Sequence, residues 1–547
     1  MRKVPSQKRT AAGRGWRPLG APALRCAPMS ASLLEVFLDH AHRAPERPLL
    51  TFEQERFTYG QFATHVTAFA RGLKQRGLQP GERVALFLEN SARFAITYLG
   101  VQAAGGVVVL VNTAYRQVEL AHILSDAEVC GCVTGAAGAA ELVPLRAQLP
   151  SLQWLITVER PTTALPESLT EVPFDTLLAE GTSATAPLVM PRPEDLAVLG
   201  YTSGTTGRSK GAMLLHRNLL ANVRAVTEAW RWTEQDRLLL TLPLFHTHGL
   251  MVGLHGTLFT GASADLRRRF NAAESLTALR DDASLTMFFG VPTMYSRLLE
   301  EARASRVKPR ALRLWVSGSA PLSPQLFADI EAELGARILE RYGMTETIMN
   351  TTNPYEGERR SGTVGFPYPG QEARVVDVRT RQPQPCGETG EIEVRGPHVF
   401  AGYWRRQDAT AESFDADGWF RTGDLGDVDA DGYLRITGRA RELIISGGFN
   451  VYPREVEEVL AMHPGVAEVA VLGLPDADLG EQVVAVVVPH PGATPPESQS
   501  LVDWCKDRLA SFKKPRQVVF TDALPRNALG KVQKHLLRAA LVPPGTR

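Results

Sequence analysis

Strand-like and helix-like patterns alternate through much of the chain, and this alternation limits the folds it can adopt. The apolar runs RVALFLEN at 83–90 and GGVVVLVN at 105–112 are typical of buried strands. Residues 59–77 instead have helical spacing and end in a glycine. Similar α and β patterns continue over 195–342. Because alternating strands and helices form parallel sheets covered by helices, we predict such sheets here.

The remaining segments have other patterns. Residues 161–193, rich in Pro, Thr, Ala and Ser, predict an irregular connection. Short strands and frequent turns over 362–437 predict a β-rich subdomain. A chain of 547 residues is too long for one hydrophobic core. We therefore predict an α/β fold with a large N-terminal domain of parallel α/β sheets plus the β-rich subdomain at 31–440, and a small α+β C-terminal domain at 441–547.

Composition narrows the class of protein. With 60 basic and 59 acidic residues the chain has a formal net charge of +1, which offers no electrostatic basis for nucleic-acid binding. The 5 cysteines are few and scattered, as expected of reduced thiols in a cytosolic enzyme. The most apolar stretch, 84–111, is interrupted by Glu89 and Arg93, so we predict no membrane span and no membrane partner.

The N-terminal segment is unusual because residues 1–34 contain no Asp or Glu but several Arg and Lys. Such a composition also occurs in transit peptides, which would place the protein in mitochondria. Four prolines before Met29 would interrupt an amphipathic helix, however. We expect residues 1–30 to be a disordered or non-native extension, with Met29 as the working initiator and a cytoplasmic location.

A glycine- and hydroxyl-rich loop, YTSGTTGRSKG, occupies residues 201–211 between a predicted strand and a predicted helix. Loops of this kind bind phosphate through backbone N–H groups, hydroxyls and a lysine. Lys210 is followed by glycine rather than Ser or Thr, so the loop is not a Walker A motif. A plain polar turn is the alternative. The predicted phosphate ligands are Thr202, Ser203, Gly204, Thr205, Thr206, Gly207 and Lys210.

Four motifs follow the loop in order: YGMTET at 342–347, RTGDLG at 421–426, GRARELI at 438–444 and PRNALGKVQK at 525–534. With the loop, they resemble the acyl-adenylate-forming superfamily, which includes acyl-CoA synthetases, peptide-synthetase adenylation domains and luciferases. The resemblance covers about 33–537. It implies that ATP activates a carboxylic acid as an acyl-adenylate, with ATP, Mg²⁺ and coenzyme A as cofactors, and that the C-terminal domain is mobile.

The resemblance also implies roles for individual residues. Lys531 matches the lysine that assists adenylate formation, and Glu346 matches the Mg²⁺ ligand, with Thr205 and Thr345 as its helpers. Asp424, near Arg439, matches the acid that binds the ribose hydroxyls. The remaining nucleotide-binding positions that the resemblance implies are Gly318, Ser319, Ala320, Tyr342, Gly343 and Thr345.

Further motifs imply contacts to the acid and to CoA. In PLFHTHGL, His246 matches a residue that closes over the carboxylate, whereas the case for His248 is weaker; a metal pair is the alternative, but no third ligand is evident. Gly447 and Gly448 would let the pantetheine arm pass close to the backbone. Ile445 stands where many relatives carry lysine.

The acid itself is indicated by two arginines. A second carboxylate in a buried pocket needs a cationic partner, and an arginine fork suits it. The strings around Arg269 and Arg341 resemble malonyl-CoA synthetases, in which the matching positions hold the distal carboxylate. For Arg269, a solvated surface position within three consecutive arginines is the alternative.

We therefore expect ATP-dependent ligation of malonate to CoA. Methylmalonate, short-chain or aromatic acids are alternatives. A stand-alone loader of a carrier protein and a non-catalytic relative are rival classes, although nothing after Lys534 resembles a carrier domain and both Lys531 and Glu346 are present. The small-molecule partners expected are malonate, ATP and CoA.

Overall fold

The computed structural model describes residues 32–202, 209–447, 449–476, 478–491, 495–506, 508–526 and 531–542. Ser203, Gly204, Thr205, Thr206, Gly207, Gly448 and the predicted N-terminal extension therefore lie outside the described residues. No described helix is both long enough and apolar enough to cross a bilayer.

The described strands form four sheets, and the two large ones confirm the predicted parallel α/β architecture. All neighbours in the first are parallel except the last pair. Its strands, in spatial order, are Thr170–Pro173, Trp154–Thr157, Val129–Thr134, Arg83–Phe87, Val107–Leu110, Leu196–Thr202 and Lys210–Leu215.

The second large sheet is parallel in its centre and antiparallel at both edges. Its strands, in spatial order, are Phe366–Pro367, Thr351–Thr352, Ile338–Tyr342, Leu314–Ser317, Met287–Gly290, Arg237–Leu240, Ser263–Leu266, Pro48–Phe52 and Glu55–Thr58.

The two small sheets agree with the predicted β-rich and α+β segments. An antiparallel sheet contains Glu372–Val376, Gly390–Arg395, Phe420–Val428 and Leu434–Arg439. The C-terminal sheet contains Phe449–Val451, Ile444–Ser446, Gly480–Pro489 and Val466–Asp476, with Gln517–Phe520 parallel to Gly480–Pro489.

Helices cover these sheets. The α-helices are Leu33–Arg43, Tyr59–Gln75, Ala92–Ala103, Gln117–Asp126, Ala136–Leu142, Phe174–Ser183, His216–Ala229, His255–Thr260, Ala272–Asp281, Pro292–Ser305, Pro324–Leu334, Gln407–Ser413, Pro453–Ala461, Ser498–Trp504 and Lys534–Leu541. The 3₁₀ turns are Val143–Gln148, Ala440–Glu442 and Ser511–Lys513, and a π-helix spans His248–Leu254.

The helix Ala92–Ala103 is buried on every side, and one hydrophobic core extends from the N-terminal helices through both large sheets. The loops that follow the parallel strands lie at the carboxyl edges of these sheets. Because the carboxyl ends of parallel strands share one edge, the loop after Ser317 and the loop after Tyr342 lie side by side.

The prediction of an irregular connection over 161–193 was wrong in part. The strand Thr170–Pro173 and the helix Phe174–Ser183 lie within it. Glycine makes this helix possible: a Cβ at Gly181 would lie 1.7 Å from the Ala68 carbonyl oxygen, so the two helix backbones are in close contact. The composition suggested a loop because small residues favour turns, but here they serve close helix packing.

Candidate functional site

Two neighbouring antiparallel strands hold the predicted ribose-binding pair. Asp424 lies opposite Arg439 in the strand register, and the Arg439 Nε is 2.7 Å from Asp424 Oδ1. The Tyr342 hydroxyl, at the end of its strand in the large sheet, also donates to the Asp424 carboxylate. Burial, followed by the Asp424 charge, raises the pKa of Tyr342, which keeps the phenol protonated as a donor. The structure thus brings together three residues distant in sequence.

Glu346 is a buried carboxylate with two hydroxyl donors. The Tyr403 hydroxyl donates to Oε1 at 3.0 Å and the Thr202 hydroxyl at 3.4 Å. Burial raises the pKa of Glu346, and these donors and Arg439 oppose that rise. An acidic oxygen donor beside Thr202, a predicted phosphate ligand, fits Mg²⁺, which binds few protein carboxylates and keeps phosphate and water ligands.

Lys210 also reaches this corner of the site. Its ammonium lies 5.2 Å from the centroid of the Tyr403 ring, within the range of a cation–π contact. Thr345 packs against the neighbouring strand Leu196–Thr202, since a Cβ at Gly200 would lie 2.6 Å from its Cγ2. Tyr403 therefore links the lysine of the loop to Glu346.

Arg341 is a buried guanidinium with few partners. The residue is 3% exposed, and its Nη2 donates to the Ser319 hydroxyl at 3.3 Å. No described carboxylate forms an ion pair with it, and its Nε has no described hydrogen-bond partner. Burial lowers the pKa of Arg341 to about 10, so the group is still charged at neutral pH. Leaving a charge buried and unpaired is costly, which indicates an anionic ligand.

The loop that follows the strand Leu314–Ser317 makes room for this guanidinium and has an unusual backbone conformation. A Cβ at Gly318 would lie 2.6 Å from the Arg341 Cζ, so only glycine leaves this space. The next residue, Ser319, has a φ of +69°, a backbone conformation that is uncommon outside glycine. Ala320 continues the same loop, half-buried. Strain of this kind is typical of functional loops.

Two histidines lie beside the arginine. The His248 backbone N–H donates to His246 Nδ1 at 3.5 Å, which would leave Nε2 of His246 protonated as a donor. Burial, with Lys531 and Arg341 nearby, lowers the pKa of His246 to about 3, so the ring is neutral. His248 stacks on Phe289, and neither of its ring nitrogens has a described partner. It opens a π-helix, a distortion often found at functional sites.

Lys531 approaches this cleft from the C-terminal domain. The residue retains exposed surface, yet the charges of Arg439, Asp424, Arg341 and Glu346 all act on its ammonium. Burial among these side chains, followed by the Arg439 charge, lowers the pKa of Lys531. Lys531, the predicted adenylation lysine, thus lies within range of the charges of the ribose-binding pair and of the buried arginine.

No described contact connects the other predicted residues to this site. Arg269 is exposed and has no hydrogen bond or ion pair with a described residue, unlike the adjacent Arg268, which pairs with Glu53 and Glu89. Gly447 has a φ of +56° and donates its N–H to the Leu479 carbonyl at 2.9 Å. Ile445 beside it is largely exposed. The roles of these residues in binding acid or CoA stay predictions.

Sequence reasoning missed three residues of this region. Tyr403 binds Glu346 from a segment without a recognised motif, and the Tyr368 hydroxyl is buried near Arg341. Glu340 precedes Arg341, and its carboxylate accepts from the Gly362 N–H at 3.3 Å. Only Glu340 could have been suspected, because a glutamate in a buried strand is rare.

We expect Glu340→Gln to change how stability depends on pH. Burial raises the pKa of Glu340 to about 7, above its ordinary 4.5. The folded state therefore keeps a proton that the unfolded state loses, and this group lowers stability as pH rises from about 4.5 to 7. Relative to the unmodified protein, the variant should gain Tm between pH 5 and pH 8 in thermal unfolding. A constant Tm difference would contradict this expectation.

Comparison with known proteins agrees with this geometry. Two family models match, "AMP-binding enzyme" over residues 37–404 and "AMP-binding enzyme C-terminal domain" over residues 455–531. A malonate–CoA ligase of Arabidopsis thaliana is 33% identical, with 94% of this chain and 90% of the relative covered. A sulfoacetate–CoA ligase of Cupriavidus necator is 37% identical, with coverage of 90% and 94%.

Solved structures agree as well. The crystal structure of ATP-bound MatB from Rhodopseudomonas palustris is 40% identical and superposes with a TM-score of 0.84, covering 94% of this chain and 99% of that chain. Relatives with similar identity act on different acids, so they establish the reaction type but not the acid. The chain belongs to the AMP-binding enzyme family and is an AMP-forming acyl-CoA ligase.

Proposed function

We propose that this ligase activates malonate and transfers it to coenzyme A. The observation that carries the proposal is the Arg341 guanidinium, which is buried at the end of the candidate acyl site without a described carboxylate partner. The distal carboxylate of a diacid would supply the missing countercharge. The ring nitrogens of His248, which have no described partner, and the Tyr368 hydroxyl lie near the same guanidinium and would provide further polar contacts.

The reaction has two steps. In the first, a malonate carboxylate oxygen forms a bond to the α-phosphorus of ATP, while the bond from that phosphorus to the bridging oxygen breaks and pyrophosphate leaves. In the second, the CoA sulfur forms a bond to the acyl carbon, the bond from that carbon to the phosphate oxygen breaks, and AMP leaves. The thiol proton is lost to the medium.

Electrostatics accounts for the first step, since two anions must approach each other. Lys531 would stabilise the attacking carboxylate and the α-phosphate together. The neutral His246 ring would donate from Nε2 without adding a competing charge, and Asp424 with Tyr342 would fix the nucleotide. Mg²⁺ bound by Glu346 would neutralise phosphate charge when present.

The named substrates of two relatives support an acid substrate that has a second anionic group. Malonate has two carboxylates, and sulfoacetate has a carboxylate and a sulfonate. An apolar acyl chain would leave the Arg341 charge without a partner, which argues against long-chain acids. Methylmalonate carries the same two carboxylates, so it is the second candidate.

A panel of acids tests the substrate. AMP release would be measured with ATP, Mg²⁺ and CoA for malonate, methylmalonate, acetate, benzoate and octanoate. We expect the highest kcat/KM for malonate. Faster turnover of methylmalonate would make methylmalonate the assigned substrate. Preference for a monoacid would overturn the proposal. AMP formation without malonyl-CoA would instead indicate a carrier-protein loader.

We expect Arg341→Leu to raise the KM for malonate about 100-fold, because a carboxylate would lose a buried charged partner. The KM for ATP should change less than about threefold. Gly318→Ala should act in the same direction, since its methyl group would displace the guanidinium. Arg337→Leu, at an exposed arginine on the same segment, is the matched control. Unchanged malonate kinetics in Arg341→Leu would remove Arg341 from the pocket.

Lys531→Ala separates the two steps. Because Lys531 acts on the first one, the variant should lose adenylation about 100-fold or more, measured as pyrophosphate release. Thioester formation from preformed malonyl-adenylate should fall far less. Equal losses in both half-reactions would refute the role.

A further inference from the structure

A buried cluster of charges lies next to Lys531 and has no part in the chemistry above. Lys534 follows Lys531 by three positions and begins the helix Lys534–Leu541. Its Nζ lies 2.7 Å from Glu457 Oε1 and 3.1 Å from Glu442 Oε2. The side chains of Lys534, Glu457 and Glu442 are 18%, 21% and 30% exposed, so the cluster is largely shielded from solvent.

Lys534 lies at the start of its helix, where its positive charge needs compensation by the two carboxylates. A lysine in the first turn of a helix is unfavourable, because its charge faces the positive end of the helix dipole. Burial lowers the pKa of Lys534, but the Glu457 and Glu442 charges raise it overall, so the ammonium is retained. The two carboxylates thus offset both the dipole and the loss of solvent.

Both partners are themselves anchored. Glu457 lies in the helix Pro453–Ala461, and its Oε1 accepts from the Val471 N–H at 2.8 Å, which fixes it to the C-terminal sheet. Glu442 ends the 3₁₀ turn that follows Arg439, the partner of Asp424. Lys534 therefore joins the segment that carries Lys531 to the helix Pro453–Ala461 and to the chain leaving the nucleotide site.

Backbone pairing also restrains the segment that carries Lys531. Val532 pairs with Arg526 in an isolated antiparallel bridge, and the Gln533 N–H donates to the Pro525 carbonyl at 2.8 Å. Lys531 stands at the end of this pairing. Val532 packs against the core of the domain, and Lys534 adds two ion pairs to the same segment.

We infer that Lys534 is a positioning residue that holds Lys531 in the geometry for adenylate formation. The inference rests on the proposed role of Lys531. Loss of the two ion pairs would free the start of the helix, and displacements of about 1 Å are enough to weaken transition-state contacts. Thioester formation does not use Lys531 in the proposed function, so it should not depend on Lys534.

The test uses the full chain with Lys534→Met, which keeps the aliphatic stem and removes the charge. We expect adenylation, measured as pyrophosphate release from ATP and malonate, to fall about tenfold. Thioester formation from preformed malonyl-adenylate should stay within about twofold. A parallel loss in both half-reactions with a lowered Tm would show a purely structural role and overturn the inference.

Further variants sharpen the result. Lys534→Arg should recover most of the adenylation rate, because it restores the charge. Glu442→Gln and Glu457→Gln should each cause part of the loss seen in Lys534→Met. Arg538→Met removes a more exposed ion pair, to Glu481, from the same helix and should leave both half-reactions unchanged. Equal loss in Arg538→Met would contradict a specific role for Lys534.

The two proposals fail in different ways. If Lys531→Ala retains adenylation, the proposed function of Lys531 fails. If Lys531→Ala loses adenylation and Lys534→Met does not, only the positioning role fails.

Discussion

The parallel pairing of Leu314–Ser317 with Ile338–Tyr342 is the constraint on which the candidate site depends. Their register places Ser317 beside Glu340, so the loop of Gly318 and Ser319 meets the residues that follow the second strand. Arg341 can donate to Ser319 only because of this register. One pair of strands thus brings the glycine loop, the buried arginine and Tyr342 to a single edge of the sheet.

Charge at this edge is organised for ligands rather than for stability. Arg439 and Asp424 balance each other, whereas Arg341 has no described acidic partner. A buried cation without its counterion makes the folded state less stable. Proteins usually tolerate this loss of stability where the cation binds a ligand. The neutral His246 and His248 reduce repulsion with Arg341, because burial keeps both rings uncharged.

The C-terminal domain supplies the remaining cation through a separate set of contacts. Lys531 reaches the site from a segment held by Lys534, and Lys534 depends on carboxylates of the same domain. A site divided between two bodies can exchange one set of groups for another between steps, which suits a reaction whose halves require different chemistry.

The sequence by itself determined the α/β class, the family and the identity of the charged residues in its motifs. Alternating patterns and ordered motifs are local in sequence, so they could be detected directly. The tertiary structure alone decided which side chains meet: Tyr403 with Glu346, and Lys534 with Glu442 and Glu457. It also separated Arg341 from Arg269, which the sequence had grouped, because one lies in a buried strand and the other on an exposed loop. Burial and pairing across long sequence distances arise from packing, and no local pattern records them.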